Sequence, residues 1–207
     1  MENKLKIDKN NQLYLKELNS SVAKFSPAEI ISKALLISKS PIVTSSFGPF
    51  SAIILHALVT QKPDIKVIWI DTGYNTKYTY KYALNLIKKL KLNIFTYVPK
   101  TSVGFRNIEL GIPSINDPKH KIFTHQVKIE PFNRAMKIHQ PDVWFTNLRR
   151  GQTEFRDSID VFSMSSDSIL KVSPFYSFSD AGASFIENGV REGDLLCITN
   201  GTNHLNS

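Results

Sequence analysis

Apolar positions in this chain alternate between two periods. Short, nearly continuous apolar runs occur at Pro41-Ile42-Val43-Thr44, Lys66-Val67-Ile68-Trp69-Ile70, Asn93-Ile94-Phe95-Thr96-Tyr97-Val98, Val143-Trp144-Phe145-Thr146 and Ile169-Leu170-Lys171-Val172. Runs of this length predict strands, the first of them buried. Between them the spacing is helical. Ser26-Pro27-Ala28-Glu29 has the form of a helix start, a Ser cap with Pro first and Glu three residues on, and Ile30, Ile31, Ala34 and Leu35 follow it. A second helix is predicted from Pro49 through Ile53, Ile54 and Leu55 to about Thr60. A third runs from about Thr76, with Tyr80, Ala83, Leu84, Ile87 and Leu90 on its apolar face. A fourth spans Pro131 to His139, with Phe132, Ala135, Met136 and His139 along one side.

Strands alternating with helices of this length give an α/β fold, an open, mostly parallel twisted sheet with helices on both faces. Thr101 to Thr124, broken by Gly104, Gly111, Pro113 and Pro118, reads as a long irregular segment of the kind that carries function. No linker or repeat divides the chain. It is expected to form a single domain over 1–207, with a core at about 26–175 and a C-terminal tail at 176–207.

Composition narrows the classes. The 42% hydrophobic content of these 207 residues suits a globular core. No apolar run approaches the roughly 20 residues of a membrane helix, and no signal peptide is read at the N-terminus, so a cytoplasmic protein is expected. The 26 Lys+Arg against 18 Asp+Glu give a net charge of +8, a field that attracts anions. Such anions include nucleic acid, acidic membranes and a multiply charged nucleotide; the basic residues are scattered and no nucleic-acid motif is present, so nucleic acid is not expected. Lys88, Lys89 and Lys91 read as the wet face of a helix. A single cysteine, Cys197, excludes an internal disulfide, a cysteine-built metal site and an iron–sulfur cluster, and no bound cofactor or metal is expected. His56 and His139 fall on apolar helical faces and read as core or interface residues rather than catalytic ones.

Candidate chemistry sits where strands end. Ser45-Ser46-Phe47-Gly48 joins a buried strand to a helix start, the geometry that aims backbone N–H groups and a helix dipole at an anion. Ser45, Ser46 and Ser51 offer hydroxyls there. Asp71-Thr72-Gly73 follows the second strand, where an open α/β sheet places ligand-binding residues; Asp71 also reads as a cap for the next helix. Arg149-Arg150 follows a predicted strand, and guanidinium forks pair bidentately with phosphate or sulfate.

Taken in order, these blocks resemble the phosphoadenylyl-sulfate (PAPS) reductase family, on the adenine-nucleotide α-hydrolase-like fold. Ser46-Phe47-Gly48-Pro49-Phe50-Ser51-Ala52 is similar to the family's Ser-Phe-Gly-x-Gln/Glu-Ser-Ala, with Phe50 in place of the polar residue. Asp71-Thr72-Gly73-Tyr74 resembles Asp-Thr-Gly-Tyr-x-x-x-Glu-Thr-Tyr, with Tyr78 at the Glu position. Lys128-Ile129-Glu130-Pro131 is similar to the Lys-Val-Glu-Pro block whose lysine approaches the sulfate. Leu148-Arg149-Arg150-Gly151-Gln152, with Arg156 beyond, resembles Leu-Arg-Arg-x-Gln-x-x-x-Arg, and Leu170-Lys171-Val172 resembles Phe-Lys-Val. The resemblance implies a nucleotide pocket built from Ser45, Ser46, Phe47, Gly48, Ser51, Asp71, Thr72, Gly73, Lys128, Arg149, Arg150, Gln152, Arg156 and Lys171. Phe123 and Thr124 stand where cluster-bearing members have paired cysteines, which places the resemblance on the cluster-free, PAPS-preferring side.

The implied activity is thioredoxin- or glutaredoxin-dependent reduction of PAPS to sulfite and adenosine 3′,5′-bisphosphate in sulfate assimilation. In the family a cysteine of Glu-Cys-Gly-x-His, near the C-terminus, is the nucleophile. Here that motif is absent, and Cys197 stands in Leu196-Cys197-Ile198. It reads either as a displaced nucleophile or as an inert strand cysteine. Two other functions stand beside reduction: a non-redox nucleotide-binding relative, regulatory or degenerate, and a sulfur-transfer or ATP-dependent enzyme on the same fold. Phe50, in place of an acidic loop residue, weighs against the last. A homodimer is left open.

Overall fold

The computed structural model describes residues 12–48, 50–148 and 160–178. Its framework is a sheet of six strands: β1 (Pro41–Thr44), β2 (Lys66–Ile70), β3 (Asn93–Tyr97), β4 (Val143–Phe145), β5 (Phe162–Met164) and β6 (Leu170–Val172), in the order β3-β2-β1-β4-β6-β5. Every pairing is parallel except that of β5 with β6 at one edge. The order therefore reverses direction between β1 and β4. At such a switch point the connections leave to opposite sides and open a crevice at the strands' carboxyl ends.

Both sheet faces are covered, and the strand period of two assigns side chains to each. Val43, Val67 and Trp69 turn to the larger core, with Ile30, Ile31 and Ala34 of α2 (Pro27–Ile37), α3 (Ser51–Gln61), and Ala83 and Leu86 of α4 (Lys77–Leu90). Ile42 and Ile68 turn the other way, against Ala135 and Met136 of α7 (Glu130–His139). The α2 start is as predicted: Ser26 accepts from Glu29 N, and the Glu29 carboxylate accepts from Ser26 N at 2.7 Å. No helix among the described residues is long and apolar enough to cross a membrane.

Several local expectations are corrected. The helix expected from Pro49 begins at Ser51, with Phe50 as a cap that offers no side-chain hydrogen bond. Leu84 is 59% exposed, and Leu86 takes the buried position instead, because the inward stripe of α4 follows 83, 86 and 90. The stretch 101–124 is not irregular throughout. It contains α5 (Val103–Glu109), capped by the Ser102 hydroxyl accepting from Phe105 N, and α6 (Lys119–Thr124). Between α6 and α7 the chain forms a π-helical turn, His125–Ile129, closed by Glu130 N donating to His125 O. Two elements had no expectation at all: α1 (Gln12–Ser21) and β5, which Asn19 joins by donating to Phe162 O and accepting from Phe162 N.

Candidate nucleotide-binding cleft

The crevice at the switch point is a cleft of about 590 Å³. Its floor is the β1–α3 turn, with Thr44, Ser45, Ser46, Gly48, Phe50 and Ser51; its walls come from β2, β4, the π turn and β6. Ser45 N donates to Ile68 O at 3.0 Å, which carries the β1–β2 ladder one step past the strand. The chain then turns sharply. Phe47 N donates to the Ser45 hydroxyl at 3.1 Å, and Phe47 adopts a left-handed φ of 50°. That conformation costs a non-glycine residue roughly 1–2 kcal/mol. The Phe47 ring offsets the cost: it is 2% exposed and packs edge-on against Trp69, centroids 5.0 Å apart.

The turn delivers the amino end of α3 to the cleft, and its N-cap residue, Phe50, makes no side-chain capping hydrogen bond. Ser51 N donates back to Gly48 O at 3.1 Å, and the helix dipole places a partial positive charge at this end. Ser51 is 7% exposed, and its hydroxyl donates to Gly48 O at 2.8 Å, so it braces the turn from within. Ser46 is exposed and lines the cleft. A side chain at Gly48 would meet Ser46 Oγ at 3.6 Å, an ordinary contact; glycine here leaves the cleft floor bare.

The walls are largely apolar: Ile54, Ile68, Ile70, Ile129, Phe132 and Trp144. Phe132 and Trp144 pack with centroids 5.0 Å apart, and Trp144 Nε1 donates to Thr44 Oγ1 at 2.9 Å. Polar Thr146 and Asn147 follow β4, and Asn147 Nδ2 donates to Phe50 O at 2.9 Å, bridging the two loops. Lys128, on the π turn, and Lys171, in β6 with Nζ 5.0 Å from the Trp144 ring centre, supply positive charge. No carboxylate is among the described lining residues. Glu130, next to this wall in sequence, is held below the usual carboxylate range, chiefly by the hydrogen bond from Arg134 and also by Lys100. An apolar slot with a serine-bearing floor and cationic rim fits a flat heterocycle carrying anionic groups.

The structure thus brings Ser45, Ser46, Gly48, Ser51, Lys128 and Lys171 to one cleft. Phe47 belongs to the same turn, with its ring in the core. Asp71, Thr72 and Gly73 follow Ile70 of the wall but do not line the cleft. Asp71 Oδ1 accepts from Gly73 N, Asn75 Nδ2 and Tyr80 OH, and Thr72 Oγ1 accepts from Tyr74 N, so these side chains organise their own loop. Arg149, Arg150, Gln152, Arg156 and Cys197 lie outside the described residues. Trp144, Phe132 and Asn147 line the cleft without having been singled out as site residues; the apolar wall carries no motif that separates it from ordinary core.

His56 is 8% exposed, and burial, with Lys89 adding to it, pushes its imidazole below the ordinary range. His139 bonds Tyr97 OH at 2.9 Å, away from the cleft lining. Among the described residues, no group of three or more His, Cys, Asp or Glu side chains is placed to hold a metal ion.

The chain is similar to known proteins in sequence and in fold. The model of the phosphoadenosine phosphosulfate reductase domain matches residues 40–182. A phosphoadenosine 5′-phosphosulfate reductase from Xylella fastidiosa is 38% identical over 146 residues, covering 68% of this chain and 59% of that protein. One from Synechococcus sp. is 35% identical over 158 residues, covering 74% of this chain and 67% of that protein. The chain thus spans about three fifths of the Xylella relative's length. Among solved structures, the PAPS reductase from Candida auris in its phosphate complex superposes with a TM-score of 0.75 at 22% identity, covering 86% of this chain and 85% of that one. An NH3-dependent NAD synthetase from Campylobacter jejuni reaches 0.56 at 12% identity, covering 88% and 77%. At those identities the structural likeness establishes the fold.

Proposed function

The chain belongs to the phosphoadenosine phosphosulfate reductase family, and from that premise we propose that its cleft binds PAPS for reduction to sulfite. The observation that carries the reading is the amino end of α3, set at the cleft behind the strained Phe47 turn at the sheet's switch point. Hydroxyls and a helix dipole meet there with no carboxylate among the described lining residues, which supports phosphate binding. The slot between Ile68, Ile70, Phe132 and Trp144 takes the adenine. Lys128 and Lys171 face the sulfate end, joined in this reading by Arg149, Arg150 and Arg156.

The proposed chemistry is a thiolate displacement. The Cys197 thiolate attacks the sulfate sulfur; a sulfur–sulfur bond forms, the bond from sulfur to the 5′-phosphate oxygen breaks, and adenosine 3′,5′-bisphosphate leaves. Fixed cations stabilise the negative charge that gathers on the leaving phosphate. A reduced dithiol protein, thioredoxin or glutaredoxin, then attacks the cysteine sulfur and sulfite departs with the bonding electrons. The donor's second thiol resolves the mixed disulfide, so the donor is oxidised by two electrons and Cys197 is restored. Such a dithiol donor fits a reducing cytoplasm.

One observation favours a second reading, nucleotide binding without turnover. Cys197 is flanked by Leu196 and Ile198 in place of the family's Glu-Cys-Gly-x-His setting. Calorimetric titration with adenosine 3′,5′-bisphosphate tests the element common to both. Saturable binding at one site per chain is expected; no heat and no thermal stabilisation at millimolar ligand would overturn both.

A further inference from the structure

Arg106 of α5 is wholly shut off from water. Its described partners are all neutral. Nε donates to Gln126 Oε1 at 3.1 Å, Nη2 donates to Thr101 O, and Nη1 has no partner. The guanidinium also lies 5.9 Å from the Tyr74 ring centre, and Tyr74 in turn bonds Asn107 and packs on Phe123 of α6. A buried guanidinium without a carboxylate, with one nitrogen unpaired, is an expensive arrangement, and such exceptions to polar satisfaction concentrate at functional sites.

What Arg106 holds is the π turn. Gln126 lies inside His125–Ile129, the segment where one residue more than an α-helical turn is accommodated. Relaxing such a turn to α geometry rotates side chains on one side of it by about 100° relative to the other. π turns are rare and need tertiary contacts to persist. Lys128, two residues on, faces the cleft from this turn and makes no hydrogen bond or ion pair among the described residues.

We infer that Arg106 is a positioning residue for Lys128: by gripping Gln126 it fixes the π turn that sets the lysine at the sulfate end of the cleft. The inference rests on the reading of the cleft as a PAPS site. It assigns a task to a side chain 22 positions away in sequence, outside every block that resembles the family. Two features make it separable from plain stability. Lys128 faces the sulfonate, so its effect is confined to PAPS and spares the bisphosphate. Arg106 acts through Lys128, so its effect vanishes once Lys128 is gone.

The test is titration of the full chain with PAPS and with adenosine 3′,5′-bisphosphate, in a Cys197→Ser background that consumes no PAPS. Gln126→Met removes the acceptor while keeping the side chain's length and is the primary variant; Arg106→Gln is the more disruptive companion. Gln126→Met is expected to weaken PAPS binding about tenfold, the scale of one charge-assisted contact, and to leave bisphosphate binding within about twofold. Combined with Lys128→Met it should add no further loss. Equal losses for both ligands, unchanged PAPS binding, or additive losses in the double variant would overturn the inference. A parent protein that binds neither ligand would instead overturn the reading of the cleft.

Discussion

Replacing Phe47 by alanine tests how the β1–α3 turn is held. The wild-type ring is 2% exposed and meets Trp69 edge-on at 5.0 Å. Burying such a side chain is worth about 2–3 kcal/mol in transfer alone. Cavity formation and loss of the aromatic contact raise the cost of truncation to about 3–5 kcal/mol. Meanwhile the left-handed φ of 50° remains, because alanine tolerates it no better. Against the 5–15 kcal/mol typical of a domain, roughly a third of the stability goes with one side chain. Urea unfolding followed by tryptophan fluorescence measures the difference, and binding of the bisphosphate should weaken in step. Phe47→Leu separates anchoring from direct contact. It keeps most of the burial, so it should cost about 1–1.5 kcal/mol and leave binding within about threefold. A Phe47→Ala loss under 1 kcal/mol would refute the reasoning. So would a Phe47→Leu variant of near-normal stability that no longer binds.

Other perturbations have definite outcomes. Asp142 accepts from Ser38 Oγ at 2.5 Å, Lys39 N at 2.6 Å and Ser40 N at 3.0 Å, tying the end of α2 to the α7–β4 connection. Burial opposes its charge, but these bonds outweigh it and hold the carboxyl below its ordinary range. Because the folded value is the lower one, the contribution is fully present above the unfolded value near 3.9 and is lost as pH falls through the folded value. Asp142→Asn should cost about 2–3 kcal/mol at neutral pH and flatten acid unfolding in that window, as read by urea midpoints at stepped pH. Gly73→Ala places a carbon 2.5 Å from Val103 Cγ2 at a φ of 80°. It should destabilise by more than about 1 kcal/mol, and Val103→Ala added to it should restore only the part due to contact, since the backbone cost remains.

The sheet was legible because its strands are local apolar runs, and the β1–α3 turn because a strand, a Ser- and Gly-bearing turn and a helix lie within a dozen residues. What sequence reading missed depends on distant partners. β5 is three residues long and held to α1 through Asn19, 143 positions away. The helix α5 carries Gly104 and is followed by Gly111 and Pro113, which read as breakers until the Ser102 cap and the buried Arg106 are seen. Phe47 was legible as part of the turn, but its ring turns into the core because Trp69 offers the only aromatic face it is seen to pack against among the described residues. Asp71 could be placed at a strand end, yet the direction of its carboxylate is set by Asn75 and Tyr80 on the same loop and helix.

Sulfite release from PAPS in the presence of reduced thioredoxin, measured for the unaltered chain beside Cys197→Ser, tests the central claim most directly. The account predicts release by the unaltered chain and none by Cys197→Ser, with bisphosphate binding equal in the two. Bisphosphate binding without sulfite release from either protein would contradict it, leaving a family member that holds the nucleotide and does not reduce it.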